Sequence, residues 1–395
     1  MKLLVICQYY YPEPFRITDI CESLVGKGHD VTVLTGLPNY PEGIVVKEYR
    51  KGKKRAELIN GVKVIRNFEI GRGSGKYRLF MNYLSFTLSA SFKTLLLKEK
   101  FDRILVYQLS PVTMSIPAII YKKKYQTKIL LYCLDLWPAS LSAGGIRENS
   151  IVYKPFLKMS KWIYNSVDAI AVTSCMFKDY FKTTFEMDID QIDYLPQYAE
   201  DVYLEVEENR EHNRFHLVFA GNIGDMQSVE TIIKAAHLLR EYQDIIFHII
   251  GDGSRLEECQ LLSQALMLHN VIFYGRRPIT EMPKFYSMAD AMLITLKNNQ
   301  VISYTLPGKV QSYMAARKPI IGAINGETSR VIKEANCGFC CPAEDEKELA
   351  NMILKFCQSH EKEWMGENSY AYYTKHFRKE NFLSSLESSI FKLGG

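Results

Sequence analysis

Ten short apolar runs constrain this chain more than any other feature. They fall at residues 3–7, 31–35, 104–107, 129–133 and 169–173 in the first half, and at 217–220, 245–250, 271–274, 291–295 and 319–322 in the second. Most are uninterrupted Val, Ile and Leu rather than alternating, so both faces of each strand must be covered. That is the mark of parallel strands, which require helical crossovers. The intervening segments supply them: across 228–242, Ile232, Ala236 and Leu239 recur at helical spacing, with Ser228 placed to cap the start. Strand and helix in alternation predict a doubly wound α/β fold.

The chain has 395 residues, more than one core usually supports. The pattern restarts after a polar, strand-poor stretch at 196–213 that holds Glu200, Asp201, Glu205, Glu207 and Glu208. Two Rossmann-like domains are therefore expected, 1–196 and 197–364, with a helical segment 365–395 packing back on the first. The nine cysteines are odd in number and scattered, which suggests reduced thiols. Cys337, Cys340 and Cys341 read as small apolar residues of a strand rather than a metal site. The N-terminus reads as a buried strand with no secretory signal, so a cytoplasmic protein is expected.

Charge is uneven. Residues 1–200 hold 28 Lys and Arg against 19 Asp and Glu, a net +9; the remainder nets −4. A polyanionic partner should therefore meet the first half. Residues 79–92 carry no charge and are flanked by Arg72, Lys76 and Arg78 before and Lys93 and Lys98 after. The stretch is too short and too polar to span a bilayer. It reads as a core helix whose aromatic and basic edge is a candidate for the membrane surface.

Three strand ends carry candidate chemistry. Gly221, Asn222 and Gly224 follow the run 217–220, and a helix follows them, an arrangement suited to cradling a phosphate. Gly251, Asp252 and Gly253 end the run 245–250 and face the same crevice of an open sheet. In 303–322, loop, helix and buried strand follow in order, and Lys309 sits near the helix start. A cation there opposes the helix dipole, so phosphate binding fits it better than helix stabilisation does. Asp188 and Asp190 form a D-x-D without a strand-end context and read as solvated loop charge, so no metal site is expected.

These motifs, in their order and spacing, resemble the retaining GT-B glycosyltransferases, whose two Rossmann-like domains face a central cleft. The capsular and O-antigen branch, with its N-acetylfucosamine transferase-like enzymes, is especially similar. The resemblance rests on residues 9–14 (YYYPEP), Gly28-His29-Asp30-Val31, residues 37–43 (LPNYPEG), Asp135-Leu136-Trp137-Pro138, 219–224 and 307–313. It implies transfer of a sugar, with retention, from a nucleotide sugar. The donor expected is a UDP-N-acetyl-hexosamine or deoxy-aminosugar, and the acceptor a polyprenyl-diphosphate-linked saccharide met at the inner face of the cell membrane. Donor contacts are implied at Gly221, Asn222, Gly224, Gln227, Gly251, Asp252, Gly253, Arg276, Leu306, Pro307, Lys309 and Ser312. Acceptor contacts are implied at Glu13, Arg16, Asn39 and Trp137. Asp135 is expected to orient the acceptor hydroxyl or donor sugar, and Lys309 to stabilise the leaving phosphate. No cofactor beyond the donor is expected.

The resemblance also has departures. Tyr304 and Ser312 stand where many relatives carry two glutamates, and Asn222 and Gln227 where many carry Arg and Lys. Lys309, with Arg276 or Arg277, must then supply more of the charge at the diphosphate. A nucleotide-sugar epimerase shares the two-domain fold but wants paired cleft carboxylates, which the donor motifs lack. A nucleic-acid partner is not expected, because the clusters near 50–55 and 122–124 lack a nucleic-acid-binding motif around them. The first βα turn, residues 7–16, has no glycine, so a dinucleotide fingerprint is absent.

Overall fold

The computed structural model describes residues 1–143, 145–207 and 214–394; Glu208 of the polar stretch lies outside them. The chain divides into two compact units. The first comprises Met1–Thr173, Phe177–Leu195 and Leu383–Gly395, and the second Ser174–Met176 and Pro196–Phe382.

In the first unit the strands are β1 (Lys2–Ile6), β2 (Asp30–Thr35), β3 (Ala56–Ile59), β4 (Val62–Arg66), β5 (Arg103–Gln108), β6 (Lys128–Cys133), β7 (Ala169–Val172) and β8 (Ile192–Tyr194). They form one sheet in the order β3-β4-β2-β1-β5-β6-β7-β8, parallel except for β3. The second unit holds β9 (Phe215–Ala220), β10 (Ile245–Ile250), β11 (Val271–Gly275), β12 (Ala291–Thr295), β13 (Ile320–Ala323) and β14 (Gly338–Cys341). Their order is β11-β10-β9-β12-β13-β14, all parallel. In each sheet the chain order reverses at one strand, β1 or β9. Loops beyond the carboxyl ends of those strands are where such folds bind ligands.

All ten apolar runs are strands; four further strands are not apolar runs. The pair β3–β4 is an edge hairpin buried on one face only, so its residues alternate. Its turn, Asn60-Gly61, has φ +47° and +83°. That is the two-residue hairpin turn such a dipeptide favours. The short β8 and β14 close the other edges, with β14 holding Cys340 and Cys341 as free thiols. Ser228 occupies the N-cap of the helix Val229–Leu238, but its backbone is left-handed and its hydroxyl meets the Thr231 hydroxyl at 3.0 Å instead of capping an amide.

The C-terminal segment is two helices, Lys362–His376 and Lys379–Lys392, rather than one. The former belongs to the second unit. Gly366 lies so close to the backbone there that a Cβ would come within 2.6 Å of the Arg317 carbonyl oxygen, and the Ser369 hydroxyl donates to the Lys318 carbonyl at 2.7 Å. Only residues from Leu383 group with the first unit, where Glu387 accepts from Lys27 at 2.6 Å and pairs with His29 at 2.9 Å.

The uncharged stretch 79–92 lies within a 21-residue helix, α2 (Lys76–Leu96), and its packing is inverted. Asn82, Ser85, Thr87 and Thr94 face inward, with Phe86 and Ala90. Phe80, Leu84, Leu88, Phe92 and Leu96, spaced four apart, face outward with Tyr77 and Leu95, each between 38 and 75 % exposed. The expectation of a core helix is therefore corrected for this face. The inward polar groups are satisfied locally: Asn82 donates to the Ile70 carbonyl at 2.7 Å, and Ser85 accepts from the Ile70 amide at 3.0 Å and donates to the Asn82 carbonyl at 2.9 Å. The loop after β4 dictates the burial, not side-chain hydrophobicity.

Candidate functional site

In the second unit the turns after β9, β10 and β11 stack on one another. Gly221 donates to the Ile250 carbonyl and Gly251 to the Gly275 carbonyl, each at 3.0 Å. Their φ angles are +144° and +146°. A Cβ at Gly251 would fall 1.8 Å from the Gly221 carbonyl oxygen, and one at Gly253 2.4 Å from that of Ile223. Gly251 and Gly253 are therefore glycines because backbone meets backbone.

Over this stack sits Lys309, second residue of the helix Gly308–Ala315. Its Nζ is buried and has no hydrogen-bond partner among the described residues. It lies 4.1 Å from the centroid of the Phe219 ring and would be 3.0 Å from a Cβ on Gly221. Burial pulls the ammonium down to about 7. An ammonium has three donors, and leaving them unsatisfied in a buried position is costly. Tyr313, four residues on, holds the helix in place: its hydroxyl accepts from the Ala220 amide at 3.2 Å and donates to the Ala220 carbonyl at 3.0 Å. That contact ties the helix to the residue just before Gly221, and sequence inspection passes over it because Tyr313 looks like any core aromatic.

The other donor-side residues divide. Asn222 and Gln227 hydrogen-bond to each other at 3.1 Å across the Gly224 turn. Asp252 accepts from the Gly253 amide at 2.7 Å, a local turn. Arg276 is exposed just beyond β11, and no described carboxylate pairs with it. Leu306 is buried beside a half-exposed Pro307. The Ser312 hydroxyl is turned back to the Gly308 carbonyl at 3.3 Å, and the residue is only 6 % exposed. Tyr304 accepts from Gln300 at 2.9 Å.

In the first unit the loops after β1, β2, β4, β5 and β6 gather at the carboxyl edge. Asp135 stands two residues beyond β6. Its Oδ2 accepts from the Ser110 amide at 2.9 Å, and the Ser110 side chain lies beside the carboxyl as well. Burial raises its carboxyl above the usual range, the Ser110 contacts opposing. Trp137 is buried, and its indole N–H is spent on the Ser110 hydroxyl at 2.8 Å. Glu13 accepts from the amides of Tyr10 at 3.2 Å, Asn39 at 2.9 Å and Tyr40 at 2.7 Å, and burial pushes it up to about 7. Asn39 donates to the Leu37 carbonyl and accepts from the Arg72 amide. Arg16 is half-buried at the N-cap of the first helix, Ile17–Gly26, its carbonyl taken by the Ile20 amide. Trp137, Glu13 and Asn39 thus tie the loops of this edge to one another. One polar residue escaped the sequence reading: Glu69, fully buried, accepts from Gln8 at 2.7 Å and from Asn82 at 2.5 Å. It follows β4, the strand that its alternating pattern concealed.

Asp188 accepts from the Asp190 amide and the Gln191 side chain, and among the described residues no group of three or more His, Cys, Asp or Glu is placed to hold a metal.

Residues 204–372, within the second unit, match the family model of glycosyl transferases group 1. The two sheets together are the GT-B fold. A sucrose-phosphate synthase of Thermosynechococcus elongatus superposes with a TM-score of 0.78 over 99% of this chain and 98% of that one, at 14% identity. Anabaena HepE in complex with UDP-glucose does so at 0.72 over 99% and 100%, at 13% identity. Among sequence relatives, the probable glycosyltransferase WbjE of Pseudomonas aeruginosa is 26% identical over 259 residues, 62% of this chain and 63% of its own length. The putative colanic acid biosynthesis glycosyl transferase WcaI of Escherichia coli K12 is 22% identical over 336 residues, 80% of this chain and 81% of its own.

An anion bound beside Lys309 would make its binding proton-linked. With the free ammonium lowered to about 7 from an ordinary 10.5, the residue is mostly neutral at pH 8. An anion beside it restores the charge, so binding takes up a proton. Titrating UDP calorimetrically at pH 8 in buffers of different ionisation enthalpy should show uptake approaching one proton, falling toward zero at pH 6. Zero uptake at both pH values would place Lys309 away from the anion.

Proposed function

We propose that this chain is a glycosyltransferase of bacterial surface polysaccharide synthesis, moving a sugar from a UDP-sugar to a lipid-linked saccharide. The reading rests chiefly on one observation, the buried and unpartnered Lys309 ammonium over the Gly221 turn. A diphosphate would supply its missing counter-charge, and the first-turn amides of the helix Gly308–Ala315 point the same way. As the anomeric bond breaks, charge grows on the leaving phosphate, where a fixed cation stabilises it most. WbjE and WcaI support the polysaccharide setting by their names, and HepE binds UDP-glucose in the same fold. We assign transfer with retention, an N-acetyl-hexosamine or deoxy-aminosugar donor of the N-acetylfucosamine type, and a reaction that needs no metal. Asp135 orients the acceptor hydroxyl or the transferred sugar.

The acceptor side is read as a membrane surface, on the cytoplasmic face of the inner membrane. Among the described residues no helix is long and apolar enough to cross a bilayer. The outward row of α2 offers another mode of contact: seven large apolar side chains with exposed Lys76, Arg78, Lys93 and Lys98 around them. Basic residues near anionic lipid contribute about 1 kcal/mol each, and inserted apolar side chains add to that.

Lys309→Ala should weaken UDP binding at least tenfold by calorimetry while thermal unfolding shows the fold intact; unchanged affinity in a folded variant defeats the donor assignment. Transfer from a UDP-sugar should survive EDTA, and a loss that manganese or magnesium restores would refute the metal-free reaction. Replacing Leu84, Leu88 and Phe92 together by Glu should abolish co-sedimentation with anionic vesicles at low salt and leave UDP affinity unchanged. Equal, weak sedimentation of the parent protein with anionic and neutral vesicles would end the membrane reading.

A further inference from the structure

The first unit contains a cation without a counter-charge. Arg72 lies in the loop after β4, its amide seated on the Asn39 Oδ1 at 2.9 Å. Its guanidinium is half-buried, 5.7 Å from the centroid of the Tyr40 ring, and couples electrostatically to Tyr9 and Tyr83. Among the described residues no carboxylate pairs with it. Arg66, six residues earlier, shows the contrast: it binds Glu57 at 3.0 Å and the Tyr11 carbonyl at 2.6 Å.

The carboxyls of the same loops are not counter-ions in waiting. Glu13 is occupied by three backbone amides, and Glu69 is enclosed by Gln8 and Asn82, its burial driving it well above the usual carboxylate range. A second group points the same way as Arg72. The Tyr9 hydroxyl is buried, in a residue only 2 % exposed, and sits beside the Arg72 guanidinium. The Tyr9 ring is fixed by stacking on Phe15, centroids 4.9 Å apart at 12°.

A guanidinium fork held against aromatic rings, with a hydroxyl donor beside it, matches the oxygens of a phosphate. The geometry points to Arg72 and the Tyr9 hydroxyl as a phosphate-binding site for the acceptor, at the carboxyl edge of the first sheet. The assignment rests on the transferase reading above and deepens it. It also reassigns Arg72, which the sequence places among the basic flanks of the membrane stretch.

The test is a calorimetric titration of the full chain, saturated with UDP, with inorganic pyrophosphate. The parent protein should bind it. Arg72→Gln should weaken binding about tenfold or more, as loss of a charge-assisted contact does, and Tyr9→Phe several-fold, with UDP affinity unchanged in both. Tyr9→Phe carries the test should Arg72→Gln not fold. Farnesyl phosphate in place of pyrophosphate separates the sources: tighter, Arg72-dependent binding indicates a lipid-linked phosphate, and equal binding a soluble phosphorylated acceptor. Pyrophosphate binding that neither substitution changes, or no binding to the parent protein, overturns the site. If UDP itself does not bind, the donor reading fails, and the same titration on Lys309→Ala still decides the question for Arg72.

Discussion

The second unit depends on a contact between two pieces of backbone. Gly251 approaches the Gly221 carbonyl so closely that no side chain fits between them. This lets the turns after β9, β10 and β11 stack in one pile at the switch point of the sheet. Tyr313 then bolts the helix Gly308–Ala315 to Ala220, the last residue before the pile. Lys309 is consequently held over Gly221 by the fold rather than by partners of its own. A cation placed by scaffolding and left without acceptors is expensive in the free protein and useful only when an anion arrives.

The same logic appears differently in the first unit. There a buried polar network, Gln8, Glu69 and Asn82, fastens the loops after β1 and β4 to α2. Because the helix spends its polar face on that network, its apolar row is left on the outside. The loop architecture at the carboxyl edge and the exposed stripe are thus two faces of one packing decision. Prolines 12, 41, 111 and 138, all in these loops, follow cis peptide bonds.

The departures from the family pattern acquire a physical sense together. Asn222 and Gln227, neutral where relatives often carry charge, bond to each other and close the Gly224 turn. Ser312 folds into its own helix. Positive charge at the turn therefore comes from Lys309, approaching from a different element.

By itself, the sequence determined the fold class, the ten strands that are apolar runs and the glycine turns that follow two of them. Strands buried on both faces must be apolar throughout, and a tight turn after one must be glycine; both rules are local. Lys309 stood out because a lysine at a helix start works against the dipole. What only the tertiary structure decided concerns partners distant in the chain. Glu13 and Asn39 also tie loops together, Glu13 through the amides of Asn39 and Tyr40 and Asn39 through the Arg72 amide, partners that only the fold brings to them. Arg72 looked like surface charge until Tyr9 and Tyr40 were placed around it. The outward row of α2 could not be read from composition, since which face of a helix is buried depends on what packs against it, and here that is a polar loop.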